Sequence, residues 1–290
     1  MRNIACTIIL ITSLSAAAQT TTSNVPAASN TISTNVVPGL MNDNPSKVFG
    51  SVNLGYNSNL YERDAFQSKT STTADLLVNY RLSGSNVLRA FGSATQEHSQ
   101  GRESKIADGY TAWVNDGFWS RGKVATIGQQ VRLAVPMSRE SVKRDEKLTG
   151  VTVAPMAVIN LTPVGIIGAM LIFQPAVTKN FHKYEMNRAF KTNNEYTFSQ
   201  LIRAVWGFTE RAYLLSDFIY RKAWSYGGTQ KNDTTSYSFS VGYNFTNALS
   251  ASTGITTDST IRNFQNGSDQ NIELFNQNTS SVFLGLTYVF

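Results

Sequence analysis

The chain has 290 residues, of which 41 % are hydrophobic and only 15 % charged, with a formal net charge of +6. Ordinary soluble domains carry roughly 25 % charged residues, so this composition argues against a charge-coated soluble protein. Aromatic residues reach 11 %, mostly 16 Phe and 12 Tyr, and the single cysteine, Cys6, excludes a disulfide framework and a thiolate metal site.

In chain order, "MRNIACTIILITSLSAAAQT" begins with Arg2, runs apolar from Ile4 to Leu14 and ends in small residues. That pattern predicts a secretory signal peptide at 1–18, cut after Ala18 and taking Cys6 with it. As a membrane anchor the run is short of the about 20 apolar residues that a spanning helix needs. Residues 19–46 are rich in Thr, Ser, Asn, Ala and Pro without a sustained period, and read as a flexible leader.

From Lys47 onward a period of two recurs. Val48, Gly50, Val52, Leu54 and Tyr56 oppose Phe49, Ser51, Asn53, Gly55 and Asn57. In "STTADLLVNYRL" Ala74, Leu76, Val78, Tyr80 and Leu82 oppose Asp75, Leu77, Asn79 and Arg81. The alternation returns in "EYTFSQLIRAVWGF" and "SYSFSVGYNF", and closes the chain in "SSVFLGLTYVF". There, Val282, Leu284, Leu286, Tyr288 and Phe290 form one wholly apolar face. Successive side chains of a strand point to opposite faces, so each segment presents one greasy face and one small or polar face.

Two kinds of connection separate these segments. Short ones, such as "SGSN", "SRGK" and "TNAL", alternate strictly with long polar ones such as "PMSRESVKRDEK" and "TKNFHKYEMNRAFKTNNE". Six long and five short connections join about twelve strands. A sandwich gives no reason for loop length to alternate; a membrane barrel does, because its two ends differ. Tyr56, Tyr80, Tyr110, Trp119, Trp206, Tyr243 and Phe245 gather near strand ends, where interfacial rings are favoured.

On these features the chain resembles the bacterial outer-membrane β-barrel proteins over residues 47–290. The resemblance implies an all-β fold: a transmembrane antiparallel barrel of about twelve strands, with short periplasmic turns, long extracellular loops and a periplasmic leader. It also implies that the last strand, ending in Tyr288 and Phe290, is read by the outer-membrane assembly machinery, and that outer-membrane lipid and lipopolysaccharide are partners. Twelve-stranded barrels with arginine-lined interiors include channels for acidic oligosaccharides, a likeness of architecture only.

Parity assigns Arg81, Arg89, Arg132, Arg203 and Arg221 to the lumen, together with Gln130, Asp75 and Asp217. An arginine on the lipid face near the midplane costs several kcal/mol, which supports the inward assignment. Rings of basic side chains favour anions, so the expectation is a narrow passive channel biased toward anions or small acidic solutes. The alternative is a structural or surface-interaction barrel whose lumen is blocked, for example by pairing of the Asp75/Arg81 kind. Lys179, Lys183, Arg188 and Lys191 in the 178–195 segment, set against Glu185 and Glu195, read as a solvated basic loop within reach of lipopolysaccharide phosphates.

An outer-membrane hydrolase is disfavoured. The only histidines are His98 and His182, and His98 beside Ser99 would point to the opposite face of a strand. No cofactor, metal site or nucleic-acid partner is expected, and the oligomeric state stays open. Two features sit awkwardly in a barrel. "VGIIGAMLIF" at 164–173 is apolar on both faces, and Pro155 calls for a local bulge because it cannot donate to a ladder. The barrel reading requires the mature chain to depend on detergent or lipid; sedimentation as a monomer in plain buffer would overturn it.

Overall fold

A computed structural model describes residues 46–61, 68–99, 103–122, 124–231, 233–263, 268–269 and 279–290. The expected signal peptide, and the leader up to residue 45, lie outside the described residues. Twelve long strands follow in chain order. They are β1 (Val48–Asn59), β2 (Thr70–Ser83), β3 (Asn86–Glu97), β4 (Gly109–Arg121), β5 (Ala125–Val135) and β6 (Lys147–Asn160). The second half comprises β7 (Ala169–His182), β8 (Asn194–Gly207), β9 (Ala212–Ser225), β10 (Asp233–Asn244), β11 (Leu249–Asn263) and β12 (Ser280–Val289). Two short strands, Ser104–Ile106 and Ser268–Asp269, pair antiparallel with the loop-side ends of β3 and β11.

Each long strand pairs antiparallel with its chain neighbours, and β12 pairs with β1 from Ser51↔Val289 to Asn59↔Ser281. That last ladder closes the sheet into a barrel. The terminal residue takes part: Phe290 N–H donates to Gly50 O at 3.0 Å, and Gly50 N–H donates back at 2.9 Å. Connections alternate between the two ends of the cylinder, the longer loops mostly at one and the shorter turns and β1's entry at the other, although the eight-residue connection 161–168 of the short-turn end exceeds the seven-residue 226–232 of the other.

The alternation of the sequence becomes the two faces of the wall. On β12, Val282, Leu284, Leu286 and Tyr288 are exposed, while Ser281, Phe283 and Thr287 between them are buried. The same holds on β1, where Val52, Leu54 and Tyr56 face out and Ser51, Asn53 and Asn57 face in. A wall that is greasy outside and mixed inside is the pattern a bilayer selects. Tyr80, Trp119, Trp206, Phe208, Tyr243 and Phe245 lie exposed near strand ends as anticipated. Tyr110 does not: it turns inward and stacks on Phe91, with ring centroids 5.2 Å apart.

The doubly apolar run at 164–173 resolves into two pieces. Thr162–Val164 forms a 3-10 turn, Gly165 and Gly168 take left-handed φ of 97° and 74°, and β7 begins only at Ala169. Ile167, at 77 % exposure, sits on this turn and not in a lumen-packed strand. Within β7 itself Ile172 is buried inside while Leu171 and Phe173 face out, so the ordinary alternation is restored.

Pro155 is accommodated differently from the bulge expected. The β6–β7 ladder runs in one register through Val153↔Val177 and Ala157↔Phe173, with no paired residues between. That register sets Pro155 directly opposite Pro175. Leu161 N–H donates to Ala169 O, so odd residues of β6 turn their amide groups toward β7, and Pro155 therefore faces Pro175. Two donorless nitrogens meet at one position, and the pairings of Pro155 with Gln129 and of Pro175 with Gln200 survive on the outer sides. Concentrating both missing donors in one gap spares the other two ladders, where a single proline would otherwise break a bond.

A second fitted contact lies across β9 and β10. Tyr213 pairs with Gly242, and a Cβ on Gly242 would fall 2.1 Å from the Tyr213 ring. The glycine gives the inward ring its bed, as in barrels where an aromatic covers a bare backbone position.

Two outcomes follow from this wall. Replacing Pro155 and Pro175 together by valine restores two ladder donors, and should raise the thermal unfolding midpoint in detergent by about 2–4 °C for each kcal/mol regained. An unchanged or lower midpoint would mean that the two nitrogens do not face one another. Gly242→Val should lower the midpoint, because the tyrosine ring has no room to yield; Gly92→Ala, on β3 with nothing within 4 Å and no left-handed φ, tests glycine loss without a clash.

Candidate functional site

The lumen is the concave surface on which the inward side chains converge, and it is unequal around its circumference. Where β10, β11, β12 and β1 meet, the wall is hydroxylic and amidic: Ser240, Asn244, Ser250, Ser252, Thr287 and Asn53 are all buried. Thr287 Oγ1 donates to Asn53 Oδ1 at 2.8 Å, and Asn53 Nδ2 donates to Asp75 Oδ2 at 3.0 Å. Toward the short-turn end, β2 to β7 instead present a buried apolar cluster that includes Leu77, Val87, Val114, Met156, Val158 and Ile172. A smaller one, Val205, Tyr213 and Leu215, covers β8 and β9, with Met170 packed against both.

The charged side chains picked out by parity fall into distinct settings. Arg203 and Asp217 form a bidentate pair across β8 and β9, Nε to Oδ1 at 2.6 Å and Nη2 to Oδ2 at 2.7 Å. Asp75 hydrogen-bonds Asn53, and Arg81 lies over the Phe49 ring at 5.4 Å, so the Asp75/Arg81 type of pairing is replaced by an amide partner and a ring. Arg221 interacts electrostatically with Asp258, which bonds Ser236 on the neighbouring strand. Asp258 escaped the sequence assignment, although its even parity with Ser250, Ser252 and Thr256 carries the signal.

Arg89 and Arg132 differ from these. They are 2 % and 7 % exposed, on β3 and β5, with only Ala112 of β4 between them in the row. Arg89 Nε donates to Asn79 Oδ1 at 2.8 Å, and Arg132 Nη2 donates to Gln130 Oε1 at 2.8 Å. Arg89 Nη1 and Nη2, Arg132 Nε and Gln130 Nε2 are buried without a hydrogen-bond partner. Arg132 also lies over the Tyr110 ring, 5.0 Å from its centroid. Asp116, in the irregular stretch of β4 between Asn115 and Trp119, interacts electrostatically with Arg89 and Arg81. Asp116 also escaped the sequence assignment, although it continues the even, inward set of Tyr110, Ala112 and Val114 up to the register shift that begins after Asn115.

At the long-loop end, Asp145 ties together the loops 136–146 and 183–193. It accepts from Arg144 Nε at 2.9 Å and Asn187 Nδ2 at 3.1 Å, while its backbone oxygen accepts from Asn193 Nδ2 at 3.0 Å. Arg188 bonds Glu146, Lys179 bonds Glu195, and Lys231 donates to Thr192 O, so much of the expected solvated basic loop is fastened to its neighbours. Burial pulls the Lys231 ammonium below the usual lysine range, against the opposing pull of Asp145.

The two histidines also lie toward this end. His98 Nε2 is 2.7 Å from Thr72 Oγ1, and His182 Nδ1 is 3.2 Å from the Tyr226 hydroxyl. Thr72 is thus a hydroxyl within reach of an imidazole, but among the described residues no third group is recorded that orients either histidine as a base. Among the described residues no group of three or more His, Cys, Asp or Glu is spaced to hold a metal ion.

The Arg203–Asp217 pair makes a checkable statement. Removing either partner leaves a buried charge alone, so Arg203→Gln or Asp217→Asn should each destabilise the folded barrel by about 3 kcal/mol, read from denaturant unfolding in micelles. The double variant should cost less than the sum of the two, and additivity would mean that the pair does not interact.

No protein-family model and no curated protein matches the chain by sequence. Solved structures do match by shape. An outer-membrane channel of Pseudomonas putida F1, described as the COG4313 channel, aligns over 88 % of this chain and 100 % of its own, at a TM-score of 0.60 and 14 % identity. The NanC porin aligns over 83 % of this chain and 98 % of its own, at a TM-score of 0.51 and 7 % identity. At such identities the likeness concerns the fold, and the fold of this chain is a closed, twelve-stranded barrel of the outer-membrane type.

Proposed function

We propose that the protein is a passive channel of the outer membrane, biased toward anions or small acidic solutes by inward arginines. The observation that carries this reading is the Arg89–Arg132 pair, two buried guanidinium groups in which Arg89 Nη1 and Nη2 and Arg132 Nε have no hydrogen-bond partner. Arg203 is paired with Asp217 and Arg221 faces Asp258, so Arg89 and Arg132, with Arg81 beside them and Asp116 as the acid of that stretch, are the buried arginines of the wall that lack an ion pair of their own among the described residues. Fixed positive charge along a pore lowers the barrier for anions and raises it for cations. The shape match to a protein described as an outer-membrane channel supports the class of function.

A barrel with a blocked lumen is the second reading, favoured by the apolar clusters that line the short-turn half of the interior. Under either reading the outward apolar face meets membrane lipid, the assembly machinery engages the strand that ends in Tyr288 and Phe290, and exposed lysines of the 183–193 loop meet lipopolysaccharide phosphates.

Reconstitution in planar bilayers decides between the two. The channel reading expects stepwise currents with a reversal potential displaced toward that of chloride. Replacing Arg89 and Arg132 by glutamine should move it toward cations. The charge-neutral exchange Arg203→Gln with Asp217→Asn should leave it where it was. Silent membranes favour the blocked barrel, and unaltered selectivity in the Arg89/Arg132 variant removes these residues from the mechanism.

A further inference from the structure

We propose that the lumen contains a binding site for small monocarboxylates with an apolar body, aryl or short-chain alkyl, built from Arg89, Arg132, Gln130 and the apolar wall around them. The proposal rests on the channel reading above and names the solute class for that lumen.

The geometry starts from one row of the sheet. Asn79, Arg89, Ala112, Arg132 and Thr152 stand side by side across β2 to β6. Strand spacing sets the two arginine Cα atoms about 10 Å apart, a span that two long side chains can share around one small ligand. Between them β4 contributes only the methyl group of Ala112, the smallest side chain of the row. The donors without partners, Arg89 Nη1 and Nη2, Arg132 Nε and Gln130 Nε2, belong to side chains at least nine-tenths buried. A buried donor without an acceptor is costly, and a planar carboxylate answers the guanidinium fork with two acceptor oxygens.

What surrounds these donors is apolar. One row toward the long loops, Phe91 stacks on Tyr110, the ring that also lies under Arg132. One row toward the short turns, Val87 pairs with Val114, in the buried cluster that continues through Met156, Val158 and Ile172. A bare inorganic anion or a sugar acid would serve the donors and leave this wall against water. A neutral apolar solute would cover the wall and leave the donors bare. A carboxylate carried on an aryl or alkyl body satisfies both demands. Asp116 is the competing acid of this stretch; it acts on Arg89 and Arg81, while Arg132 interacts with Arg89 and not with Asp116, so the local balance stays positive.

Calorimetric titration of the folded full chain in detergent provides the test, with phenylacetate and hexanoate as probes and acetate and phenylacetamide as controls. Phenylacetate should bind about tenfold or more tightly than either control. Arg89→Gln and Arg132→Gln should each cost phenylacetate about tenfold and leave phenylacetamide unchanged. Met156→Gln should weaken phenylacetate without touching acetate. Equal binding of acetate reduces the site to a simple anion contact, equal binding of phenylacetamide reduces it to a greasy recess, and no binding at all removes it; each result overturns the proposal. The ligand series on the unaltered protein does not depend on how any variant folds. Anion-selective currents without a preference for phenylacetate retire the site and keep the channel. Binding in detergent by a protein silent in bilayers retires the channel and keeps the site.

Discussion

A strand surrounded by hydrocarbon has no water to satisfy its amide and carbonyl groups, and the rest of this molecule follows from that constraint. Every backbone donor must find its acceptor within the sheet, so the sheet must close on itself. Here closure falls to the last ten strand residues, which pair with β11 on one side and β1 on the other. The reciprocal bonds between Phe290 and Gly50 carry the seam to the final residue. A chain that ended a few residues earlier would leave β1 with an open edge in lipid. One exception to full pairing, Pro155 opposite Pro175, respects the same constraint by confining two missing donors to one gap at mid-wall.

Closure makes the interior a second surface with its own chemistry. Because the side-chain period is two, each outward Leu, Val or Phe obliges an inward neighbour, and the character of that neighbour varies around the barrel. Hydroxyl and amide groups face in where the chain's two ends meet. Aliphatic and aromatic groups face in on the opposite arc, together with guanidinium groups set among them. Buried arginines within an apolar wall are expensive unless something answers their charge. Arg203 is answered by Asp217, whereas Arg132 has a neutral amide and a tyrosine ring, and Arg89 has a neutral amide and the field of Asp116 without a direct ion pair. That asymmetry is the feature on which the proposed channel reading rests.

The long-loop end obeys a different logic. With water available there, the chain is free of the ladder, and polar side chains take over its ordering. Asp145 and Asn187 bind neighbouring backbone and side chains much as strands bind one another below. The loops are thus tied to each other by charge-assisted bonds, which are individually modest where exposed and stronger where buried.

Fold class and wall orientation were legible in the sequence. Alternation and loop length are local properties, and a membrane barrel is the structure in which both are needed at once. The inward parity of Arg89, Arg132, Arg203 and Asp217 could be read along single strands for the same reason. What the sequence did not contain is which residue of one strand stands beside which residue of the next. Register decided that Arg203 meets Asp217, that Asp75 meets Asn53 in place of Arg81, that Pro155 meets Pro175, and that only Ala112 separates Arg89 from Arg132. These are contacts between residues far apart in the chain, set by how the closed cylinder staggers its strands, and no local pattern encodes that stagger.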